Sequence, residues 1–104
     1  NVVMIACGEF HTAGVTADGR VLVVGNAGGE ACRVEDLRDV ISVACLPEAT
    51  VCVHADGHMT VRGGDGMLAE AVAPIRDAVA VDGKEYRLAV LTVDRRVLFL
   101  PGTE

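Results

Sequence analysis

The sequence predicts an all-β fold made of successive units, each with three to four short antiparallel strands. Asp18-Gly19 recurs 38 residues later as Asp56-Gly57, and again, altered, as Asp94-Arg95. An Asp-Gly pair between two apolar runs is a strong signal for a β-hairpin. In addition, several predicted strands, such as 21–24, are apolar on both faces. This pattern is typical of sheets that are covered by a neighbour on each side.

A fixed period of this length indicates repeated supersecondary units, each of which cannot bury its apolar faces alone. We therefore divide the chain into repeats 1–39, 40–77 and 78–104, of which the last is incomplete. Antiparallel sheets stacked around an axis form a β-propeller, so we expect about three blades of a partial or open propeller. A linear β-solenoid is the alternative, although it normally has shorter turns and lacks the Asp-Gly hairpin.

Each unit is predicted to contain three strands in the same order. The first strand is short and rich in small residues, the second is apolar, and the third follows a two-residue turn. Their expected bounds are 3–7, 12–17 and 20–24, then 41–45, 50–55 and 58–62, then 79–81, 88–93 and 96–100. The small residues of the first strands suit the crowded region near a propeller axis.

The turns between the second and third strands are assigned to Asp18, Gly19, Asp56, Gly57 and Asp94. Asp-Gly predicts a type I′ turn, which needs positive φ at both central residues. In the third turn an arginine replaces the glycine, and positive φ would cost it roughly 1 kcal/mol. Another turn type is therefore open to the third hairpin.

A bend containing glycine follows each third strand, and Gly25 and Gly63 are assigned structural roles there. An edge segment is expected next, at 31–34 in the first repeat and 69–72 in the second. These segments lead into Arg38-Asp39 and Arg76-Asp77, which precede the next blade. The bends are not predicted to bind phosphate, because no Gly-Lys-Ser/Thr follows them.

Composition restricts the classes of partner. The chain has 104 residues, 51% of them hydrophobic, and a formal net charge of −6. An acidic chain argues against binding to nucleic acid or to an anionic membrane surface, which requires a basic face. No apolar run approaches the roughly 18–20 residues that span a bilayer. We therefore expect protein partners.

The four cysteines, Cys7, Cys32, Cys45 and Cys52, contain no Cys-x-x-Cys pair. Cys7 and Cys45 occupy the same position in successive repeats, where a small buried residue is needed. Reduced buried thiols are the expected state, and the sequence leaves a disulfide open. Free thiols only weakly favour a reducing interior, so the sequence does not assign a compartment.

The run 5–26 resembles the repeat of the regulator of chromosome condensation family. It has a strand of small residues, Gly8, His11-Thr12, an apolar strand, Asp18-Gly19, a further strand and Gly25-Asn26. The later repeats depart from the pattern, because Ala49 and Arg87 stand in place of the histidine. The family's usual Trp-Gly is Val-Gly, Arg-Gly and Leu-Pro here. The resemblance implies propeller blades, and it implies that His11 has a structural role in packing and hydrogen bonding.

Because the family usually forms seven blades, the resemblance also implies that further blades or another subunit complete the ring. Propellers need at least about four blades, and only three units are present.

The residues predict no catalytic constellation, metal site or cofactor site. Cys52 and His54 share a strand face, but His58 falls on the next strand and no fourth metal ligand is evident. The better candidate is the loop between the first and second strands, where Phe10, Glu48 and Tyr86 occupy one repeat position. Variable residues on a constant frame often carry binding, and an exposed aromatic residue can anchor a partner.

These observations predict a non-catalytic propeller that acts as a scaffold for protein–protein interaction or as a structural subunit of a larger assembly. Guanine-nucleotide exchange on a small GTPase is one alternative implied by the resemblance, although no exchange residues match. Inhibition of an enzyme, as in a relative with short blades, is the other. The ultraviolet-sensing role of plant relatives needs clustered tryptophans, and the chain has none.

Overall fold

The computed structural model of the chain describes residues 2–8, 11–25, 33–34, 37–47, 49–63, 66–84 and 87–100. These residues form mainly strands, and one short helix lies between two of them. The elements are β1 Val2–Cys7, β2 His11–Thr16, β3 Val21–Gly25, β4 Arg33–Val34, β5 Val40–Leu46, β6 Ala49–His54, β7 Met59–Gly63, α1 Met67–Val72, β8 Ala78–Lys84, β9 Arg87–Thr92 and β10 Val97–Leu100. None of the helical structure in these ranges is long and apolar enough to cross a membrane.

The strands form three antiparallel sheets, which we call blades 1, 2 and 3. Blade 1 has the order β1-β2-β3-β4, blade 2 the order β5-β6-β7, and blade 3 the order β8-β9-β10. Every blade is a meander, because each strand pairs with the next strand in the chain. The register also shifts near the start of each first strand, after Val2, Val40 and Ala78. The predicted all-β fold of antiparallel blades is confirmed. The register shift, which the sequence analysis did not predict, repeats with the same 38-residue period.

The expected edge segment at 69–72 is wrong for the second repeat, where the chain forms α1 instead. The helix contains Leu68, Ala69, Glu70 and Ala71, all strong helix formers. Leu68 and Val72 are one helical turn apart and both pack against the core beside blade 2. Local propensity therefore prevails over the pattern of the first repeat, where β4 does pair with β3 through Leu22 and Val34.

The prediction of type I′ turns is also wrong. Gly19 and Gly57 have φ of 85° and 95°, but the aspartates before them do not have positive φ. The Gly19 N–H donates to the Thr16 carbonyl at 3.0 Å, and the Thr16 N–H donates to the Arg20 carbonyl at 2.9 Å. This is a three-residue loop that ends on a left-handed residue, which forms a G1 bulge. Asp-Gly suits this loop as well, since only the last position needs positive φ.

The third hairpin keeps the same turn even though it lacks the glycine. Arg95 has a φ of 72°, and its N–H donates to the Thr92 carbonyl at 3.0 Å. The Thr92 N–H donates to the Arg96 carbonyl at 2.9 Å, as in the first turn. The strand register of blade 3 thus holds Arg95 in a conformation that arginine disfavours on its own.

Two apolar clusters lie between the blades, and they occupy equivalent positions in the repeat. The first joins Ala13, Val15, Val21 and Val23 of blade 1 to residues that include Val40 and Val43 of blade 2. The second joins Val51, Val53, Met59 and Val61 to residues that include Ala78 and Val81. We call each such contact a joint. The core therefore lies between sheets, as the strands apolar on both faces had predicted.

At the edge of each joint the turn glycine of one blade meets the start of the next blade. The Gly19 carbonyl accepts the N–H of Val40 at 3.0 Å, and the Gly57 carbonyl accepts the N–H of Ala78 at 3.1 Å. The approach is so close that a Cβ on Gly57 would lie 2.1 Å from the Arg76 carbonyl oxygen. Glycine is needed here both for its positive φ and for its missing side chain.

We predict that Gly57→Ala destabilises the chain more than Gly66→Ala. Both glycines have positive φ, but a Cβ on Gly66 meets nothing within 4 Å. The shared backbone strain costs about 1–2 kcal/mol. At Gly57 the backbone of blade 3 must also move, which should cost a further 1–3 kcal/mol, roughly. Urea denaturation measures both, and equal losses would contradict the close approach.

We also predict that Arg95→Gly raises the free energy of unfolding by about 1 kcal/mol, because it removes the cost of a side chain at positive φ. Arg96→Gly is the matched control. Arg96 is exposed and does not have positive φ, so glycine should bring no gain there. Thermal denaturation of the two variants makes the comparison. A loss of stability in Arg95→Gly would show that the turn does not strain this residue.

Candidate interaction rim and the groups that hold it

The loops that were predicted to bind a partner join the first and second strands of each blade. The last residue pairs before these loops are Cys7 with Thr12, Leu46 with Ala49, and Lys84 with Arg87. Because the blades stack in the same orientation, these strand ends lie along one edge, which we call the rim. Phe10, Glu48 and Tyr86 are in the connecting segments but lie outside the described residues, so their shared position stays a prediction.

Beneath the rim, a glycine of one blade packs against a larger residue of the neighbouring blade. A Cβ on Gly8 would lie 2.9 Å from the Cβ of Cys45 in the next blade. In the following joint the sizes are reversed, since Leu46 projects toward Gly83, where a Cβ would lie 2.6 Å from its Cδ2 atom. Each joint therefore pairs a glycine with a larger residue. This pairing keeps the rim ends of adjacent blades close together.

Polar contacts also cross the joints. The ring Nε2 of His11 lies 2.7 Å from the hydroxyl of Thr50 in blade 2. His11 is the first residue of β2 and is half-buried, so it ties the rim end of blade 1 to blade 2. In the next joint, the N–H of Val81 donates to the hydroxyl of Ser42 at 3.1 Å. Hydrogen bonds between blades are thus part of the support for the rim.

Cys45 contributes a third contact, because its thiol donates to the carbonyl of Ala6 at 3.4 Å. Burial raises the pKa of this thiol to about 11. Cys45 therefore stays protonated at neutral pH, as the donor role requires. Cys7, Cys45 and Cys52 form no disulfide, and Cys32 lies outside the described residues. The expected burial is wrong for Cys7, which is exposed because no blade covers its side of β1 in the described structure.

The predicted turn residues lie at the end of each blade opposite the rim. Asp18 accepts a hydrogen bond from the hydroxyl of Thr16, and Asp94 accepts one from the hydroxyl of Thr92. These hydrogen bonds are the main cause that lowers the pKa of each carboxyl group, and Arg96 further lowers the pKa of Asp94 at 2.9 Å. The ionised aspartates stabilise the turns by accepting these hydrogen bonds. In the described structure, their role is to stabilise the turns in which they lie.

In the second turn, the side chain that bonds to the aspartate is a histidine, whereas it is a threonine in the other two turns. The Asp56 carboxylate lies 2.5 Å from Nδ1 of His58, and this hydrogen bond is the main cause that lowers the pKa of Asp56. The His58 ring stacks on His54, with 4.0 Å between the ring centroids. The ring nitrogens of His54 lie 2.7 Å from the Arg38 carbonyl and from the Thr60 hydroxyl.

The structure thus brings His54 and His58 together, and His58 lies directly before β7 and not within it. Cys52, in contrast, is fully buried in the joint with blade 1. Among the described residues no group of three or more His, Cys, Asp or Glu side chains could hold a metal ion. The other predicted structural glycines, Gly25 and Gly63, each end a third strand, and Gly63 has a φ of 93°.

Sequence reasoning missed the contact between each turn glycine and the following blade. Its signal was present, because Arg38-Asp39 and Arg76-Asp77 recur with the same period as the glycines they contact. The carbonyls of Asp39 and Asp77 accept the N–H groups of Ala55 and Val93 at 2.7 and 2.9 Å. These dipeptides therefore link the preceding turn to the blade that they begin.

Parts of this chain are similar to known proteins in sequence and in fold. Residues 2–28 match the model of the regulator of chromosome condensation (RCC1) repeat. The fold is similar to the crystal structure of human WBSCR16, with a TM-score of 0.73 and 21% sequence identity. Residues 2–28 therefore match one RCC1 repeat, and the chain has the fold of RCC1-like propeller blades.

The similarity covers 95% of this chain and 32% of the human protein. The chain thus spans about a third of the length of the structure that it matches. No curated protein shows significant sequence similarity to the chain.

We predict that Thr16→Val raises the pKa of Asp18 toward its usual value of 3.8, because the lost hydroxyl is the main cause of the lowering. Asp56 is an internal control, since its pKa depends mainly on His58. A lowered pKa in the folded state stabilises the fold above the usual pKa, and this contribution disappears as pH falls through the lowered value. Carbon-detected NMR titration of the carboxyl groups measures both, and an unchanged Asp18 would contradict the assignment.

Proposed function

We propose that this chain is a non-catalytic part of an RCC1-like propeller and that it binds other proteins through its rim loops, as a scaffold or as a structural subunit. The observation that carries the proposal is the common register of the three hairpins. This register places the connection between the first and second strands of each blade at the same edge. Loops held by a constant frame of strands are common sites of partner binding.

The frame beneath these loops is closely packed, which supports a binding role. Residues of the joints such as Ala13, Val51 and Val53 are completely buried. Hydrogen bonds from His11 and Cys45 cross the first joint directly below the rim. A frame that is fixed before binding reduces the conformational entropy lost when a partner docks.

The loop sequences indicate the kind of partner. They contain Phe10 in blade 1, Glu48 in blade 2 and Tyr86 in blade 3. The whole chain has a net charge of −6. Aromatic residues are frequent anchors of protein interfaces. An apolar pocket flanked by basic side chains would complement such a rim, because opposite charge favours association.

The structural-subunit form of the proposal rests on the number of blades. Three blades are fewer than the four to eight of closed propellers. In this form, further blades or another subunit complete the ring, and the rim contributes part of a larger binding surface.

The test compares the double variant Phe10→Ala/Tyr86→Ala with a control at the opposite end, Arg95→Ala/Arg96→Ala. Partners are captured with the wild-type chain, identified by mass spectrometry, and then titrated calorimetrically against all three proteins. We expect the rim variant to weaken binding by about tenfold or more, as at interface hot spots, and the control to bind like the wild type. Equal affinities for all three proteins would overturn the rim as the binding surface. Circular dichroism establishes that each variant is folded.

A further inference from the structure

Two of the three turns contain Asp-Gly, a dipeptide that is prone to rearrangement of its own backbone. In this reaction the glycine nitrogen attacks the side-chain carbonyl carbon of the aspartate, and one carboxyl oxygen leaves as water. The cyclic succinimide then takes up water at either of its carbonyl groups, which gives back aspartate or gives isoaspartate. Asp18-Gly19 and Asp56-Gly57 have this sequence, whereas Asp94 is followed by an arginine, whose side chain hinders the attack.

The folded turns oppose the first step of this reaction at the glycine nitrogen. The Gly57 N–H donates to the His54 carbonyl at 2.9 Å, and the Gly19 N–H donates to the Thr16 carbonyl at 3.0 Å. A succinimide nitrogen carries no hydrogen, so each of these hydrogen bonds must be lost when the ring closes. Because these bonds close the turns, the succinimide cannot form without opening the turn.

The aspartate carboxyl groups are held in place as well. Asp56 accepts hydrogen bonds from Nδ1 and from the backbone N–H of His58, at 2.5 and 3.1 Å. Asp18 accepts a hydrogen bond from the hydroxyl of Thr16. These bonds lower the pKa of both carboxyl groups and so keep them ionised at neutral pH. An ionised carboxylate is a poor electrophile, because its oxygen leaves as water only after protonation.

The product of the reaction does not fit the joint. Isoaspartate makes the backbone longer by one carbon atom, because the chain then continues through the side chain, and the following glycine must move. Gly57 has no room to move, since a Cβ on it would lie 2.1 Å from the Arg76 carbonyl oxygen and its own carbonyl accepts the N–H of Ala78. Gly19 is placed similarly, with an added Cβ 3.0 Å from the backbone of Asp39.

We propose that Asp18 and Asp56 are sites of isoaspartate formation, that the closed turns and joints protect them, and that they react when a turn separates from the next blade. Elements of a folded protein open locally more often than the whole chain unfolds. Each opening of a joint therefore exposes its Asp-Gly pair to the reaction. Because the product does not fit, a joint that has reacted cannot close again as before, and the modification makes its opening permanent.

The test measures isoaspartate at each site of the 104-residue chain during long incubation at neutral pH, with and without guanidinium chloride. Electron-transfer dissociation of tryptic peptides locates the modified residue. In denaturant we expect isoaspartate at Asp18 and Asp56 and far less at Asp94, which is the internal control. In the folded chain both sites should react more slowly by about tenfold or more, because only the open fraction reacts. Equal rates with and without denaturant would overturn the proposal.

Two variants distinguish the protection of one turn from the stability of the whole fold. His58→Ala removes the ring that holds Asp56, so we expect faster reaction at Asp56 and an unchanged rate at Asp18. Thr16→Val should accelerate the reaction at Asp18 and leave the rate at Asp56 unchanged. Each variant is thus the control for the other, and circular dichroism establishes that both are folded. Equal acceleration at both sites, or none at either, would overturn protection by the individual turns.

A second readout tests whether the product fits the joint. The chain is allowed to react in denaturant, returned to native buffer and treated briefly with a protease. We expect isoaspartate at 18 and 56 to be enriched in the digested fraction, and aspartate in the fraction that resists digestion. Equal amounts of isoaspartate in the two fractions would contradict the inference. The turns lie opposite the rim, so neither result bears on the proposed binding surface.

Discussion

Apolar side chains on the second and third strands of a blade are removed from water only when the first strand of the next blade covers them. This contact supplies nearly all of the core, because the strands carry few large aromatics and each sheet is only three or four strands wide. Val51 and Val53 are completely buried in this way, although they lie in a sheet too narrow to form its own core. The hydrophobic effect therefore couples neighbouring blades and makes stability a property of the stack.

The same contact explains why the repeat length does not vary. The turn glycine of one blade bonds to the residue that starts the next, so one backbone hydrogen bond sets the offset between blades. An inserted residue between Gly19 and Val40 would lengthen a connection whose two ends are fixed. Residue size is adjusted within this offset, since Gly8 faces Cys45 in one joint and Leu46 faces Gly83 in the next. Different residues can thus satisfy the same spacing.

The two ends of each blade are under different constraints. The rim loops carry different residues in each repeat, Phe10, Glu48 and Tyr86, and these loops form the proposed binding surface. The strand ends from which they start, such as Leu46 and Ala49, belong to a joint cluster. The turns at the opposite end, by contrast, are constrained by the following blade, and their residues recur closely. Variable and constant parts of the repeat follow from what each part contacts.

Most of the fold could be predicted from the sequence, because strands and hairpins depend on signals between near neighbours. Alternation along 88–91, for example, separates buried Leu88 and Val90 from the opposite face. The errors came where a local pattern permits two structures. Asp-Gly suits both a type I′ turn and a G1 bulge, and analogy with 31–34 concealed the helix-forming composition of 69–72. For the rim, the sequence located the loops but not the hydrogen bonds of His11 and Cys45 that support them.

By itself, then, the sequence determined the period, the strands, their pairing within each blade and the position of the loops. Only the tertiary structure decided how the blades meet. It showed that glycine at 19 and 57 admits the next blade, that Arg95 adopts positive φ, and that His54 stacks on His58. The physical reason is that these features depend on atoms brought together from different strands or blades, and above all on backbone carbonyls and N–H groups. Nearly every residue carries both groups, so the residue types do not indicate where these groups will meet.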